Sequence, residues 1–468
     1  MPQRTGLFLG PLLFALMLLL PTPDAMTPAA QRLAAVTLLM AVWWITEALP
    51  IAATALLPIV LFPLLGIMPT AQTTSAYANP MVYLFLGGFL IAMAMQKWEL
   101  HRRIALYTIN LVGTSPHRII LGFMLATAFL SMWISNTATA MMMLPIALAV
   151  ISHRHSDSED SNFATALMLS IAYAASIGGV ATLIGTPPNA ILVGVLQQQH
   201  GITIGFAQWM GFALPLSIVM LLLAWFYLTR IVYRGEVKEV ATDRALIRQQ
   251  LLELGRMSYE ERWVLMVFSL VATAWFARGL FDIAWLQGVG DASIAICGAL
   301  LLFILPASSG GRLLDWQSAL KLPWEILILF GGGFSLAAAF VHSGLTGWLV
   351  TQLELLQAMP LWLLLAAIVL MIILLTEVTS NTATATIILP LMGALAVAME
   401  QAPTLLMIPA AIAASYAFML PVATPPNAIV FGGGHVTIPQ MAKAGIWMNL
   451  IAMLLICGFV LLSSPFTF

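Results

Sequence analysis

The sequence predicts an all-α polytopic membrane protein: eleven transmembrane helices plus two re-entrant hairpins, in two inverted repeats. Three observations predict this. The 468 residues are 61% hydrophobic and only 8% charged, with a mean hydropathy of +0.99; a soluble chain carries about 25% charged residues. Apolar runs approaching the ~20 residues that cross a bilayer recur along the whole length. Finally, one stretch occurs twice. SNTATAMMMLP runs from Ser135 to Pro145 and SNTATATIILP from Ser380 to Pro390, identical at eight of eleven positions. Gly87-Gly88-Phe89 recurs at the same offset as Gly332-Gly333-Phe334, and TPPNAI occurs at Thr186 and again at Thr424. Three matched blocks in one order mark a duplicated half.

In chain order, full spans are expected near 6–21, 29–47, 51–67, 80–97, 163–183, 207–232, 262–280, 291–306, 323–342, 405–422 and 443–463. Arg4 before the apolar run Gly6–Leu20 has features of a signal peptide, but no clean small-residue cleavage site follows in PTPDAMTP. The run is read as a retained first helix within 1–28. The first repeat then covers 29–233, an amphipathic cytoplasmic linker 234–262, and the second repeat 263–468. In the linker, Arg244, Arg248 and Glu253 alternate with Leu246, Leu251 and Leu252; a plain helix on the membrane surface is the expected form. The basic stretch His101–Thr108 reads as a similar surface helix.

Between the fourth and fifth spans, the short legs Ile119–Ile134 and Ala138–Ile151 flank Ser135, Asn136 and Thr137. Between the ninth and tenth, Leu361–Thr379 and Ala383–Met399 flank Ser380, Asn381 and Thr382. Each pair is a re-entrant hairpin or two full spans, and both readings return the chain to the same side. The first pair's short legs favour a hairpin; the longer second pair leaves the choice open. A tip inside the protein is tolerated where its backbone lines a water-filled cavity. The plainer alternative is an exposed loop whose Ser caps the next helix.

With the N-terminus in the cytoplasm and eleven crossings, sixteen of the eighteen Lys and Arg residues fall inside, leaving only Arg32 and Arg278 outside. The positive-inside rule favours that orientation, with an external C-terminus. Five crossings separate the two SNT tips, so the halves are inverted. One tip enters from each side, and both reach toward the midplane.

Small hydroxyl and amide side chains at such tips offer neutral oxygens and donors. The helix leaving a tip presents free N–H groups suited to a carboxylate. The helix entering it ends in free carbonyls suited to a cation, so one tip serves both. The paired prolines of Thr186-Pro187-Pro188-Asn189 and of its twin at Thr424 break the helix. They free carbonyls such as those of Gly185 and Ala423, with Asn189 and Asn427 as side-chain partners. A simple kink is the alternative. No Lys or Arg neighbours either SNT tip, so an anion there needs a co-bound cation to offset its charge. At 4 Å such a pair is worth about 4 kcal/mol at an effective dielectric near 20. Of the acidic residues within spans, Glu47 lies at a span end and reads as interfacial. Glu377 lies one turn from the second tip, as a proton site or, slightly favoured, a structural hydrogen-bond acceptor. Cys297 and Cys457 read as core residues, and the seven scattered histidines form no metal or catalytic cluster. Without a nucleophile–base pair beside the motifs, an enzyme is not expected, and nothing points to nucleic acid.

Two SNT motifs paired with two TPPN motifs resemble the divalent anion:sodium symporter family, which includes Na+-coupled dicarboxylate and citrate carriers. The resemblance covers nearly the whole chain, from GLFLGPLLF at Gly6 onward. It implies a homodimer in the plasma (inner) membrane, each protomer having scaffold and transport domains and working as an elevator-type transporter. It implies a first Na+ site at Ser131, Ser135, Asn136 and Gly185. The second is implied at Thr376, Thr379, Asn381 and Ala423, partly through backbone carbonyls; Thr379 stands where a smaller residue is expected. Substrate contacts are implied for Ser135, Asn136, Thr137, Thr186, Pro187, Ser380, Asn381, Thr382, Thr424 and Pro425. The expected activity is Na+-coupled symport of a C4-type dicarboxylate into the cell. An anion exchanger, a proton-coupled carrier using Glu377, and a sulfate or citrate (tricarboxylate) symporter stand as alternatives.

Overall fold

The computed structural model describes residues 2–113, 115–153, 160–233, 242–281, 288–308, 310–353 and 359–463. Arg154, Arg234, Lys238 and the first part of the linker lie outside the described residues. The described chain is helical, with one isolated β-bridge between Pro306 and Arg312. In order, the helices are α1 (Pro2–Leu19), α2 (Pro28–Thr46), α3 (Ile51–Thr54), α4 (Leu57–Leu64), α5 (Thr70–Ser75), α6 (Pro80–Lys97), α7 (Leu100–Val112) and α8 (Pro116–Ser131). Then come α9 (Asn136–His153), α10 (Asp160–Val180), α11 (Pro187–His200), α12 (Phe206–Phe226), α13 (Thr242–Glu253), α14 (Tyr259–Leu280), α15 (Asp291–Ile304) and α16 (Trp316–Ala319). The last are α17 (Trp324–His342), α18 (Leu345–Leu353), α19 (Leu361–Thr376), α20 (Asn381–Ala398), α21 (Pro403–Ser415), α22 (Pro425–Gly432) and α23 (Ile438–Ser463).

Among the described residues, eight helical stretches are long and apolar enough to cross a membrane: Pro28–Thr46, Thr70–Lys97, Asn162–Val180, Phe206–Val232, Tyr259–Leu280, Trp324–His342, Asn381–Ala398 and Ile438–Ser463. Local chemistry sets many starts. Thr27 accepts from the Ala30 N–H ahead of α2 and Asn79 from Met81 ahead of α6, each with proline at the first helical position. Ser258 and Glu261 form a reciprocal capping box at α14.

One break follows from proline. The span expected at 51–67 is split into α3 and α4, because Pro58 has no N–H for the Thr54 carbonyl and its ring crowds that turn. The span expected at 405–422 ends at Ser415, and the one expected to reach 183 ends at Val180. Both endings precede a TPPN motif. The stretch His101–Thr108 is indeed helical, within α7.

α10 is the centre of the packing. All of its residues from Phe163 to Val180 are buried, and it packs on α8, α9, α12 and α22. Its approach to α8 depends on Gly178, where a Cβ would lie 2.3 Å from the Ala128 carbonyl oxygen. Small residues permit such approach where apolar burial alone does not drive helices together in lipid. A second, smaller apolar cluster joins α2, α4 and α17.

The linker helix α13 lies against α7 and α9. Arg103 of α7 fixes its end. The guanidinium pairs with Glu261 at 2.8 and 3.1 Å and donates to the Leu254 and Gly255 carbonyls.

Candidate ion and solute site

Both SNT motifs lie at reversals between antiparallel neighbours. α8 ends at Ser131 and α9 starts at Asn136; α19 ends at Thr376 and α20 starts at Asn381. Ser135, Asn136, Thr137, Ser380, Asn381 and Thr382 are all half-buried, neither exposed loops nor sealed core. Ser135 also caps α9, its Oγ accepting from the Ala138 N–H at 3.3 Å; Ser380 makes no such bond.

At the first reversal, Ser131 Oγ donates to the Ala175 carbonyl at 2.7 Å. The end of the Asn136 amide lies 2.5 Å from Ser131 Oγ, 3.1 Å from Ala175 O and 3.3 Å from Gly185 O. Two arrangements satisfy this geometry. With Nδ2 in that position the amide donates to its neighbours. With Oδ1 there, four oxygens converge with no hydrogen between most of them, and a small cation reconciles them. The second reversal repeats the pattern: Thr376 Oγ1 lies 2.7 Å from Asn381 Oδ1 and 3.0 Å from the Ala414 carbonyl oxygen. Asn381 occupies the position of Asn136, and Thr376 that of Ser131.

The breaks at the TPPN motifs are held by the two asparagines. Asn189 Nδ2 donates to the carbonyls of Gly179, Val180 and Thr182 at 3.3, 3.1 and 2.7 Å. Asn427 Nδ2 donates to those of Ala417 and Leu420 at 3.1 and 3.0 Å. Each amide therefore satisfies carbonyls of the chain break that precedes the prolines, and each leaves Oδ1 buried without a partner among the described residues. In the second half Glu377 adds a clamp from the other side. Its carboxylate accepts from the N–H groups of Phe418, Met419 and Leu420 and from Asn449 Nδ2, at 2.7–3.1 Å. Those donors surround both oxygens, which makes Glu377 a structural acceptor. Glu47 is exposed at the C-cap of α2.

The structure brings Ser131, Asn136 and Gly185 together, and likewise Thr376 and Asn381. Ser135 stands at the helix cap beside the first group. Thr379 is turned back onto its own stretch of chain, donating to Leu375 O at 2.7 Å and meeting Thr384 Oγ1 at 2.6 Å. Ala423 is buried with its N–H on Leu420 O. Thr186 and Thr424 are buried, Pro187 is half-buried and Pro425 exposed. The carbonyls of Ala175 and Ala414 are additions that sequence reasoning missed; a backbone oxygen leaves no side-chain signature. No cluster of three His, Cys, Asp or Glu residues suited to a metal occurs among the described residues.

The halves are interleaved at these sites. α9, leaving the first reversal, packs on α22 of the second TPPN motif, while α20, leaving the second reversal, packs on α11 of the first.

The family model for the sodium:sulfate symporter transmembrane region matches residues 3–464. The chain belongs to the sodium:sulfate symporter family. Its relatives include the sodium-dependent dicarboxylate transporter SdcS of Staphylococcus saprophyticus, 47% identical over 466 residues, covering 97% of this chain and 90% of that protein. SdcS of Staphylococcus aureus strain USA300 is 48% identical over 467 residues with the same coverage. The sodium:sulfate symporter fold also has more distant structural neighbours. The YdaH transporter of Alcanivorax borkumensis superposes with a TM-score of 0.59 at 14% identity, covering 92% of this chain and 98% of its own. MtrF of Neisseria gonorrhoeae, from a class of antimetabolite efflux pumps, superposes at 0.60 with 11% identity, covering 97% and 94%. These two establish a shared helical architecture.

Proposed function

We propose that this protein is a secondary transporter that couples Na+ entry to uptake of a C4-type dicarboxylate such as succinate, malate or fumarate. The observation that carries the reading is the pair of matched oxygen groups, Ser131–Asn136–Ala175–Gly185 and Thr376–Asn381–Ala414, beside reversals whose outgoing helices begin at Asn136 and Asn381, the second with no side-chain cap. The SdcS relatives, named as sodium-dependent dicarboxylate transporters, supply the identities of ion and solute. The oxygens hold Na+; the hydroxyls, amides and N–H groups of Ser135, Asn136, Thr137, Ser380, Asn381 and Thr382, with the Thr186–Pro187 and Thr424–Pro425 breaks, face the carboxylates. With neutral donors alone at the tips, the ion supplies the attraction for the anion, which ties solute affinity to Na+. Glu377, fully engaged by donors, fits an anchor better than a proton carrier.

The reading includes eleven crossings with two hairpins, an N-terminus in the cytoplasm, an external C-terminus and a location in the inner membrane. A homodimer with scaffold domains around moving transport domains completes it. The interleaved halves fit transport as one rigid body by an elevator movement. The decisive experiment is uptake of labelled succinate by proteoliposomes. An inward Na+ gradient should drive accumulation; uptake indifferent to Na+ overturns symport.

A further inference from the structure

α12 and α15 both start from a glycine cap, Gly205 and Gly290, with no side chain to hold the first N–H groups. One carboxylate lies at both starts. Asp291, the first residue of α15, is buried, and its Oδ2 accepts the Phe206 N–H of α12 at 2.8 Å. Its Oδ1 accepts from Arg278 of α14 at 2.8 Å, and its backbone carbonyl from Trp275 Nε1 at 3.0 Å. The negative charge thus sits at two positive helix ends and beside a guanidinium. The Phe206 ring extends the contact: it stacks on Trp275 at 4.2 Å and on Trp133, in the first reversal, at 5.9 Å. This knot crosses a seam. On one side α6, α14 and α15 interlock: a Cβ at Gly87 would lie 2.6 Å from the Ala295 backbone, and one at Gly298 2.3 Å from the Val271 side chain. On the other side α12 is tied to α10, which carries the Ala175 carbonyl of the first oxygen group, by Trp209 Nε1 donating to Val180 O at 2.9 Å. A cavity of about 370 Å³ opens beside the knot, with Gln197, Thr203 and Arg278 on its wall.

We propose that Asp291 is a conformational latch: it caps α12 from across the seam in the conformation described here and lets go when α12 shifts past α14 and α15. It thereby weights the balance between the two ends of the transport movement. The inference rests on the proposed rigid-body movement and adds the residue that biases it. Arg278 and Asp291 lie on the same side of the seam, so release leaves the carboxylate paired and frees a single backbone N–H. Breaking the whole ion pair would strand a buried charge; breaking one charge-assisted hydrogen bond is a smaller step, of a size that biases an equilibrium without freezing it.

The test uses the full chain with Cys457→Ser and two nitroxide spin labels. One is on native Cys297, which is exposed on α15 rather than sealed in the core. The other is on Gly211→Cys, where α12 leaves open space for a side chain. Dipolar distance distributions are recorded in lipid nanodiscs with and without Na+ and succinate. The parent should show two discrete distances whose proportions answer to the ligands. Asp291→Ala should move their ratio roughly tenfold away from the distance of this structure. Asp291→Asn, which keeps an acceptor but loses the charge, should move it part of the way and serves if the alanine variant does not fold. An unchanged ratio overturns the latch. Broadening of both distances with no change of ratio also overturns it, since loss of a purely structural contact gives that result. So does a single distance under every condition. Na+-driven succinate uptake by the parent is measured separately: uptake with an unmoved ratio sinks the latch alone, and a moved ratio without uptake sinks symport alone.

Discussion

Glu377 is the residue whose role depends most on its surroundings. A buried carboxylate is costly unless its lone pairs are filled, and here three backbone N–H groups and Asn449 fill them. The corresponding position in the first half is Met132, so the clamp on the Tyr416–Thr424 break has no counterpart there. Glu377→Gln turns an amide NH2 toward those donors. The variant should lose on the order of 2 kcal/mol of stability, read as a lower melting temperature of the purified protein. A variant as stable as the parent with unchanged Na+-driven uptake would show the anchor to be dispensable. That Glu377 is an acceptor was legible in part, since its place beside the second SNT was plain. The donors were not, because backbone N–H groups of residues 418–420 carry no signature in their side chains. Asn189 and Asn427 were legible as partners for carbonyls at the broken helices, but they take those of Gly179, Val180 and Thr182 and of Ala417 and Leu420, not the expected Gly185 and Ala423; the choice follows only from how each chain break folds back.

At the scale of the helix, two polar fasteners tie elements together outside the apolar packing. Arg103 and Glu261 are both buried, and the guanidinium also takes carbonyls at the end of α13. Hydrogen bonding to Glu261 holds the Arg103 guanidinium above its ordinary value, so it stays charged. Arg103→Met leaves a buried carboxylate unpaired and should cost about 3–5 kcal/mol, seen as early aggregation on heating in detergent. The second fastener, Lys97 to Asp315, joins the end of α6 to the cap of α16 at 2.5 Å. Bonding to Lys97, with the Ser318 N–H, lowers the Asp315 carboxyl to about 2. A depressed carboxylate stabilises above its unfolded value, and that contribution is lost as the pH falls toward the folded one. The melting difference between the parent and Asp315→Asn should therefore hold from pH 7 to near 4 and fade only toward pH 2. A difference that collapses by pH 5 would exclude the pairing. Helix positions were well marked in the sequence by apolar runs, while the caps at Thr27, Asn79 and Ser258 emerge only from the structure. The split at Thr54 was missed because hydropathy is blind to the N–H that Pro58 lacks.

For the whole molecule, α11 rests on α17 through a close fit. A Cβ at Gly194 would sit 2.0 Å from the Phe334 ring, and Gln199 Nε2 donates to Ala337 O at 3.3 Å. If α17 belongs to the scaffold and α11 travels with the two reversals in the proposed movement, this contact must slide. A disulfide between Gln199→Cys and Ala337→Cys, in a chain with Cys297→Ser and Cys457→Ser, should abolish Na+-driven uptake, and dithiothreitol should restore it. Full uptake with complete cross-linking would rule the movement out. The duplication of the chain was evident from three repeated blocks. Which element of one half covers which element of the other was not, because packing partners between distant spans depend on shape rather than on any local pattern.

The exchange of partners, α9 with α22 and α20 with α11, has a consequence for synthesis. When the ribosome has delivered residues through α12, the surfaces of α9 and α11 that α22 and α20 will cover are still bare to lipid. The newborn half must wait for the remainder of the polypeptide before its polar corners are sheltered. Two separately translated fragments, divided in the linker, should accordingly survive quality control only when made in the same cell.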